Sequence, residues 1–319
     1  MSDAWTIGFA DATKRLDVFL SEKVGLSRTQ AKHQVEAGAY AVNGKPVAGH
    51  HFLKEGDVVT SATKKVKGEG AKGRKDVSPF VLSSFRPYSP KDLKIIKETP
   101  SWLVAYKPAG VLMHPDHDHA EGTFIDAVIA HHPKVAKIGE DPTRPGIVSR
   151  LDKDVSGLVV IAKTQDAFDD LKRQFAEHSV TKEYIALVHG NIAHDEGDLK
   201  FRIARSSSKA RMAGRPKGSV GGQAAWTHFD VVERLNGLTL LRLQILTGRT
   251  HQIRAHLHAF GHPVVGDPLY KLRLPRRKMI APRVMLQSVT LAFDDPATKE
   301  RVSFDAPLDP EFAQLISTL

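Results

Sequence analysis

Three short segments carry the side chains that could do chemistry. The densest is Ser149-Arg150-Leu151-Asp152-Lys153-Asp154-Val155-Ser156-Gly157, which runs straight into an apolar stretch, GLVVIA. An aspartate just ahead of a buried strand sits on a loop that rigid structure holds in place, a common setting for a catalytic group. Arg150 and Lys153 flank Asp152, and nearby cations keep a carboxylate ionised, as a nucleophile or a base requires. The same residues also describe a loop aspartate in a surface ion pair. The second segment is Thr181-Lys182-Glu183-Tyr184-Ile185-Ala186-Leu187-Val188, a strand that opens with an aromatic ring. In the third, Leu246-Thr247-Gly248-Arg249-Thr250-His251-Gln252-Ile253-Arg254-Ala255-His256, a strand ends and Gly248 turns the chain. Arg249 then stands at the mouth of a helix, where a guanidinium can meet a carboxylate through two hydrogen bonds.

Elements of both periods must position these segments. Apolar runs at 102–106, 157–162, 184–188, 238–246 and 284–293 predict strands, and Leu241, Leu243 and Ile245 alternate with Arg242 and Gln244 as in a half-buried strand. Helix spacing follows Thr123 (Phe124, Ala127, Val128), Thr164 (Phe168, Leu171, Phe175) and Thr250 (Ile253, Leu257, Phe260), with threonine as the expected cap each time. Strands outnumber helices and are irregularly spaced, so the expected class is α+β on a mixed or antiparallel sheet rather than a doubly wound one. Residues 206–223, rich in Gly, Ser and base, predict a long loop.

Upstream, Leu16, Phe19 and Leu20 share one helix face, and Ser27 with Gln30 has the spacing of a capping box. Gly38 then marks a helix stop, Asn43-Gly44 a hairpin turn, and 55–61 a further strand. Between the two regions, KKVKGEGAKGRKDVS at 64–78 has almost nothing to bury. The expected organisation is a small domain at 13–62, a basic flexible linker at 63–79 and a large domain at 80–319. The linker's Gly68-x-Gly70-x-x-Gly73 matches a dinucleotide fingerprint in form, but no helix pattern follows it.

The 319 residues carry 46 Lys and Arg against 36 Asp and Glu, a formal charge of +10, which points toward a polyanion. The absence of cysteine excludes disulfides, thiolate metal sites and a cysteine nucleophile. No basic start or apolar run suggests a secretory leader, and no stretch has a membrane-spanning length, so a cytoplasmic protein is expected. Histidines at 114, 117 and 119 and at 256, 258 and 262 form clusters of the kind that can bind zinc. The first lies in a loop without fixed ligand spacing and the second on a helix face, so no metal is expected.

Residues 90–319 resemble the RluA-type RNA pseudouridine synthases. The resemblance rests on Arg150-Leu151-Asp152 with Val155-Ser156-Gly157, on Lys182-x-Tyr184, on the Gly248–His256 run and on GVLMH at 110–114 followed by Gly122-Thr123. Two positions depart from the family pattern: Ser149 stands where histidine is usual and Val155 where threonine is usual. Residues 13–60 resemble the S4 RNA-binding module through Arg15-Leu16-Asp17-x-Phe19-Leu20, Ser27-Arg28, Gly38, Val42-Asn43-Gly44 and Gly56-Asp57.

The resemblance implies a synthase that isomerises uridine to pseudouridine within ribosomal RNA, in the large subunit first and transfer RNA next, as a monomer and without a cofactor. It implies Asp152 as the catalytic carboxylate, Arg249 as the cation paired with it, Tyr184 as the ring stacked on the target uracil, and Arg150 as the side chain that fills the vacated place in the RNA. In the S4-like unit, Arg15, Arg28, Lys32 and Lys45 are expected on phosphates, with Ser27 and Asn43 as polar helpers. The departures at 149 and 155 also admit a non-catalytic RNA-binding factor in ribosome assembly. A hydrolase with an aspartate nucleophile finds no histidine relay to support it.

Overall fold

A computed structural model describes residues 4–8, 11–25, 31–32, 34–35, 38–45, 47, 51–61, 87–116, 119–206, 211–215, 221–271 and 281–319. The chain divides into two compact units, residues 1–76 and 77–319. The expected linker, its glycine fingerprint, Ser27, Arg28 and His117 lie outside the described residues.

In the first unit, strands β1 (Ala4–Thr6), β2 (Tyr40–Val42) and β3 (Val58–Ser61) form a sheet in the order β1-β3-β2, all antiparallel. Helix α1 (Leu16–Val24) places Leu16, Phe19 and Leu20 in a core with Ile7, Tyr40, Val42 and Val59, as its spacing requires. Asn43 and Gly44 both adopt left-handed backbone, so the turn after β2 is the one their sequence specifies.

The second unit is built on one nine-stranded mixed sheet. Its strands are β4 (Lys94–Glu98), β5 (Trp102–Lys107), β6 (Ser156–Ala162), β7 (Thr181–His189), β8 (Glu196–Leu199), β11 (Thr227–Leu235), β12 (Leu238–Ile245), β13 (Leu286–Asp294) and β14 (Arg301–Asp305). The order is β4-β5-β6-β13-β7-β12-β11-β8, with β14 also paired to β13. Only the β6–β13 pair is parallel. β9 (Arg202–Arg205) and β10 (Met212–Arg215) form a separate antiparallel hairpin. The expected loop at 206–223 therefore contains a strand, which its glycine- and serine-rich composition hid.

Side chains leave a strand on alternate faces, and β7 shows how this divides the core. Tyr184, Ala186 and Val188 join one hydrophobic cluster, while Ile185 and Leu187 join another on the opposite face with Met285 and Phe312. Helix α2 (Phe124–His131) is capped by Thr123 and Asp126, which bond reciprocally across the first turn. Helix α3 (Gln165–Ala176) has Thr164 Oγ1 accepting from the Ala167 amide. The remaining helices are α4 (Gln252–Ala259) and α5 (Pro310–Ser317). α4 starts one residue later than the threonine cap predicts. His251 is the cap, with left-handed backbone at φ 53°, and the Thr250 hydroxyl accepts from Arg150 instead.

β6 is buried along its whole length and has no room for a side chain at Gly157. A Cβ there would lie 2.2 Å from the Ser288 carbonyl oxygen, and φ is +131°. That glycine lets β13 approach the strand that follows the Asp152 loop.

Candidate active site

The loop ahead of β6 is tied from below by β5. Lys107, the last residue of that strand, is completely buried, and its ammonium donates to the carbonyls of Pro108 (3.0 Å), Val111 (2.8 Å) and Lys153 (3.1 Å). The Gly110 amide also donates to the Lys153 carbonyl, at 2.8 Å. Burial pulls the Lys107 pKa down to about 7, against the charges of Asp152 and Asp154, which raise it. The start of β6 is held from the other side. Ser156 Oγ donates to Asp309 at 2.6 Å, Tyr106 donates to the same carboxylate, and Arg283 reaches it at 2.5 Å. Asp309 caps α5, so the end of β5 and the start of β6 are both bonded to that helix terminus.

Asp152 is thereby fixed at the wall of a cleft of about 360 Å³. Its side chain is 19% exposed and accepts from Arg254 Nη1 at 3.1 Å. Arg254, on the first turns of α4, is buried. Its Nε and Nη2 donate to both oxygens of Asp267, at 2.7 and 2.9 Å, and Asp267 is itself fully buried. Asp267 also accepts from the amides of Leu269 and Tyr270. One guanidinium therefore bridges two carboxylates, one sealed in the core and one facing the cleft. Burial opposes the charge of Arg254, but the hydrogen bonds and charges of Asp267, then those of Asp152, hold its pKa above the ordinary arginine value.

This corrects the expected pairing of Asp152 with Arg249. Arg249 is exposed at the cleft rim, and its Nε donates to the Ala224 carbonyl at 3.4 Å. The reason is helix phase. Residue 249 lies outside the helix, before the left-handed turn at His251, whereas residue 254 points inward from it. Sequence reasoning missed Arg254, although an arginine among Ile253, Ala255 and Leu257 on a buried helix face needs a buried carboxylate partner.

His251 stands beside the same carboxylate, with Nε2 3.9 Å from Asp152. Its Nδ1 lies 3.3 Å from the Tyr270 hydroxyl. That hydroxyl gives its proton to the Met212 carbonyl at 3.0 Å, so it accepts from Nδ1–H. Burial pushes the His251 pKa down.

The other expected residues gather around the cleft. Tyr184 is buried in its wall, and Lys182, two residues earlier on the same face of β7, holds its ammonium 5.6 Å from the ring centroid. Arg150 is exposed on the rim and bonded to Thr250. Ser149 lines the cleft, and Val155 packs into the core beneath it. The charged side chains lining the cleft are Arg144, Arg150, Lys182, Arg249 and Arg254 against the single carboxylate of Asp152.

In the first unit, Arg15 is bonded to Asp17 through Nε at 3.1 Å and Nη2 at 2.5 Å. The Asn43 amide is committed to Asp57 and to the Val58 amide. Lys32 and Lys45 are exposed. Of the histidines, His256 bonds through both ring nitrogens, to Thr227 and to the Phe201 carbonyl, which leaves no lone pair for a metal. His262 Nδ1 bonds to the His189 carbonyl.

Comparison with known proteins agrees with this geometry. Residues 101–259 match the RNA pseudouridylate synthase family, and residues 14–59 match the S4 domain. The chain is 37% identical over 308 residues to the uncharacterized RNA pseudouridine synthase YlyB of Bacillus subtilis, covering 96% of this chain and 94% of that one. It is 38% identical to ribosomal large subunit pseudouridine synthase D of Pseudomonas aeruginosa over 72% of each chain. Among solved structures, human RNA pseudouridylate synthase domain containing 1 aligns with a TM-score of 0.56 at 27% identity, over 73% of this chain and 96% of that one.

Proposed function

Because this chain belongs to the RNA pseudouridine synthases, an isomerase family, and carries an S4 domain, we propose that it isomerises uridines of ribosomal RNA, those of the large subunit first. The Asp152 carboxylate acts on a nucleoside turned out of the RNA into the cleft. The observation that carries this reading is the lone carboxylate of a cation-lined cleft, held by a buried guanidinium. The names of the relatives support ribosomal RNA as the substrate.

The chemistry follows from what each group can do. The N1–C1′ bond breaks with its electron pair leaving on N1, the uracil turns, C5 bonds to C1′, and C5 loses its proton. Asp152 assists by attacking C1′ or by taking a sugar proton, and either role needs the ionised form. Arg254 supplies a positive charge and a directed donor to that carboxylate, and Asp267 fixes the guanidinium so that it cannot swing away. Tyr184 offers the ring face on which the displaced uracil stacks, and Arg150, on the rim, enters the space the nucleotide leaves. Turning out a paired nucleotide costs a few kcal/mol, which an unpaired target avoids. Arg249 keeps a role as a phosphate contact on the rim.

The test incubates unmodified ribosomal RNA with the wild-type chain or with Asp152→Ala and maps pseudouridine. Modification at defined uridines by the wild type alone is the expected result. Equal modification by both proteins removes Asp152 from the reaction, and none by either removes ribosomal RNA as the substrate.

A further inference from the structure

Trp226 stands at the edge of the cleft and takes no part in the chemistry above. It is 37% exposed, while Trp102 is sealed in the core. Its backbone is locked to the cleft wall: the Trp226 amide donates to Thr247 Oγ1 at 3.1 Å, and its carbonyl accepts from Gln252 Nε2 at 3.0 Å and from the Leu246 amide at 3.3 Å. All three partners line the cleft. The neighbouring Ala224 carbonyl holds Arg249.

The indole itself is oriented by a single carboxylate. Asp198 accepts from Trp226 Nε1 at 2.9 Å and from the Lys200 ammonium at 2.8 Å, and that ammonium sits 4.3 Å from the ring centroid. One face thus carries a cation and the ring edge is pinned. An exposed indole fixed in this way has already lost the side-chain freedom that a stacking contact would otherwise remove.

We propose that Trp226 is a stacking platform for an unpaired base flanking the target uridine, so that the enzyme reads the neighbourhood of its substrate as well as the uridine itself. The inference rests on the RNA-modifying reading above. The occupant follows from the charge of the adjoining cleft, where five cationic side chains face one carboxylate. A ligand that meets such a surface and also offers flat aromatic faces is a single strand of nucleic acid. Base stacking of this kind tolerates any base, so it selects for an unpaired, reachable nucleotide rather than for a letter of sequence.

The experiment uses the full chain and a nine-nucleotide oligouridylate. Binding is followed by tryptophan emission and by salt-dependent affinity for the wild type, Trp226→Ala and Trp226→Phe. Wild-type emission is expected to fall on binding, and the fall disappears in Trp226→Phe, which retains affinity within about threefold because a benzene ring still stacks. Trp226→Ala binds about tenfold more weakly or worse, with an unchanged salt slope because the phosphate contacts remain. Unchanged affinity in Trp226→Ala, or persistent quenching in Trp226→Phe, overturns the proposal. Quenching by Trp226 with no pseudouridine formed in any ribosomal RNA would sink the catalytic reading and leave this one standing. Pseudouridine formation without quenching does the reverse.

Discussion

Replacing Arg254 by methionine removes the two hydrogen bonds that engage Asp267 and the one that engages Asp152. Methionine fills much of the same space, so the main effect is electrostatic. Asp267 is left fully buried with only the amides of Leu269 and Tyr270 for company. Removing one partner of a buried ion pair costs about 3–5 kcal/mol. In a unit of this size each kcal/mol moves Tm by about 2–4 °C, so Tm should fall by roughly 6–20 °C in a thermal melt. Asparagine at 267 keeps an oxygen for the two amides while removing the orphaned charge. Arg254→Met with Asp267→Asn should therefore regain most of the lost stability. It should not regain activity, because Asp152 still lacks its directing donor, and a misdirected catalytic group costs about a hundredfold. Single-turnover pseudouridine formation on ribosomal RNA and urea unfolding read the two effects separately. A loss below about 1 kcal/mol in Arg254→Met, or full activity in the double variant, would refute the bridging role.

Three further outcomes follow from the geometry. Folded Lys107 releases its proton near pH 7, whereas the unfolded chain keeps it to about 10.5. The unfolded state then binds more protons within that window, so stability rises with pH there, by up to about 1.4 kcal/mol per pH unit. Urea unfolding at several pH values should show this rise in the wild type and lose it in Lys107→Met; the same slope in both would contradict the buried site. Gly157→Ala should destabilise the catalytic unit by at least about 3 kcal/mol, since its Cβ must displace the Ser288 backbone and its φ is strained; a melt within 2 °C of wild type, roughly 1 kcal/mol or less, would count against the close approach of β13. In the S4 unit, Lys45→Ala should weaken RNA binding and lower the salt slope by about one, whereas Arg15→Ala should chiefly cost stability by stranding buried Asp17; an unchanged slope for Lys45→Ala removes that residue from the interface.

Much of the architecture could be read from patterning. The runs at 102–106 and 157–162 are strands β5 and β6 because residues buried on both faces of a central strand leave an unbroken apolar signature. Thr123 and Thr164 cap their helices because the residues three positions on can complete the first turn. Thr250 misled because a left-handed histidine, which no spacing rule announces, makes the actual cap. That one turn also decides which arginine meets Asp152, a choice between residues five apart that depends on tertiary geometry. Lys107 was readable in part, since a lysine that closes an apolar strand and precedes Pro-Ala-Gly must find acceptors or stay neutral. The hairpin of β9 and β10 was not, because its small residues carry no alternation. They fit instead because Gly214 packs closely against α4, where a Cβ would lie 2.9 Å from that of Ala259.

The central claim is that the charge of Asp152 drives isomerisation of an RNA-bound uridine. Asp152→Asn keeps the size and much of the hydrogen bonding of that side chain while deleting the charge. Tritium release from ribosomal RNA labelled at uracil C5 measures the step in which C5 gives up its hydrogen. The wild type should release tritium in proportion to pseudouridine formed, and Asp152→Asn should release none above background while retaining the same RNA affinity in a filter assay. Release by Asp152→Asn at a rate comparable to the wild type would mean that some other group does the work.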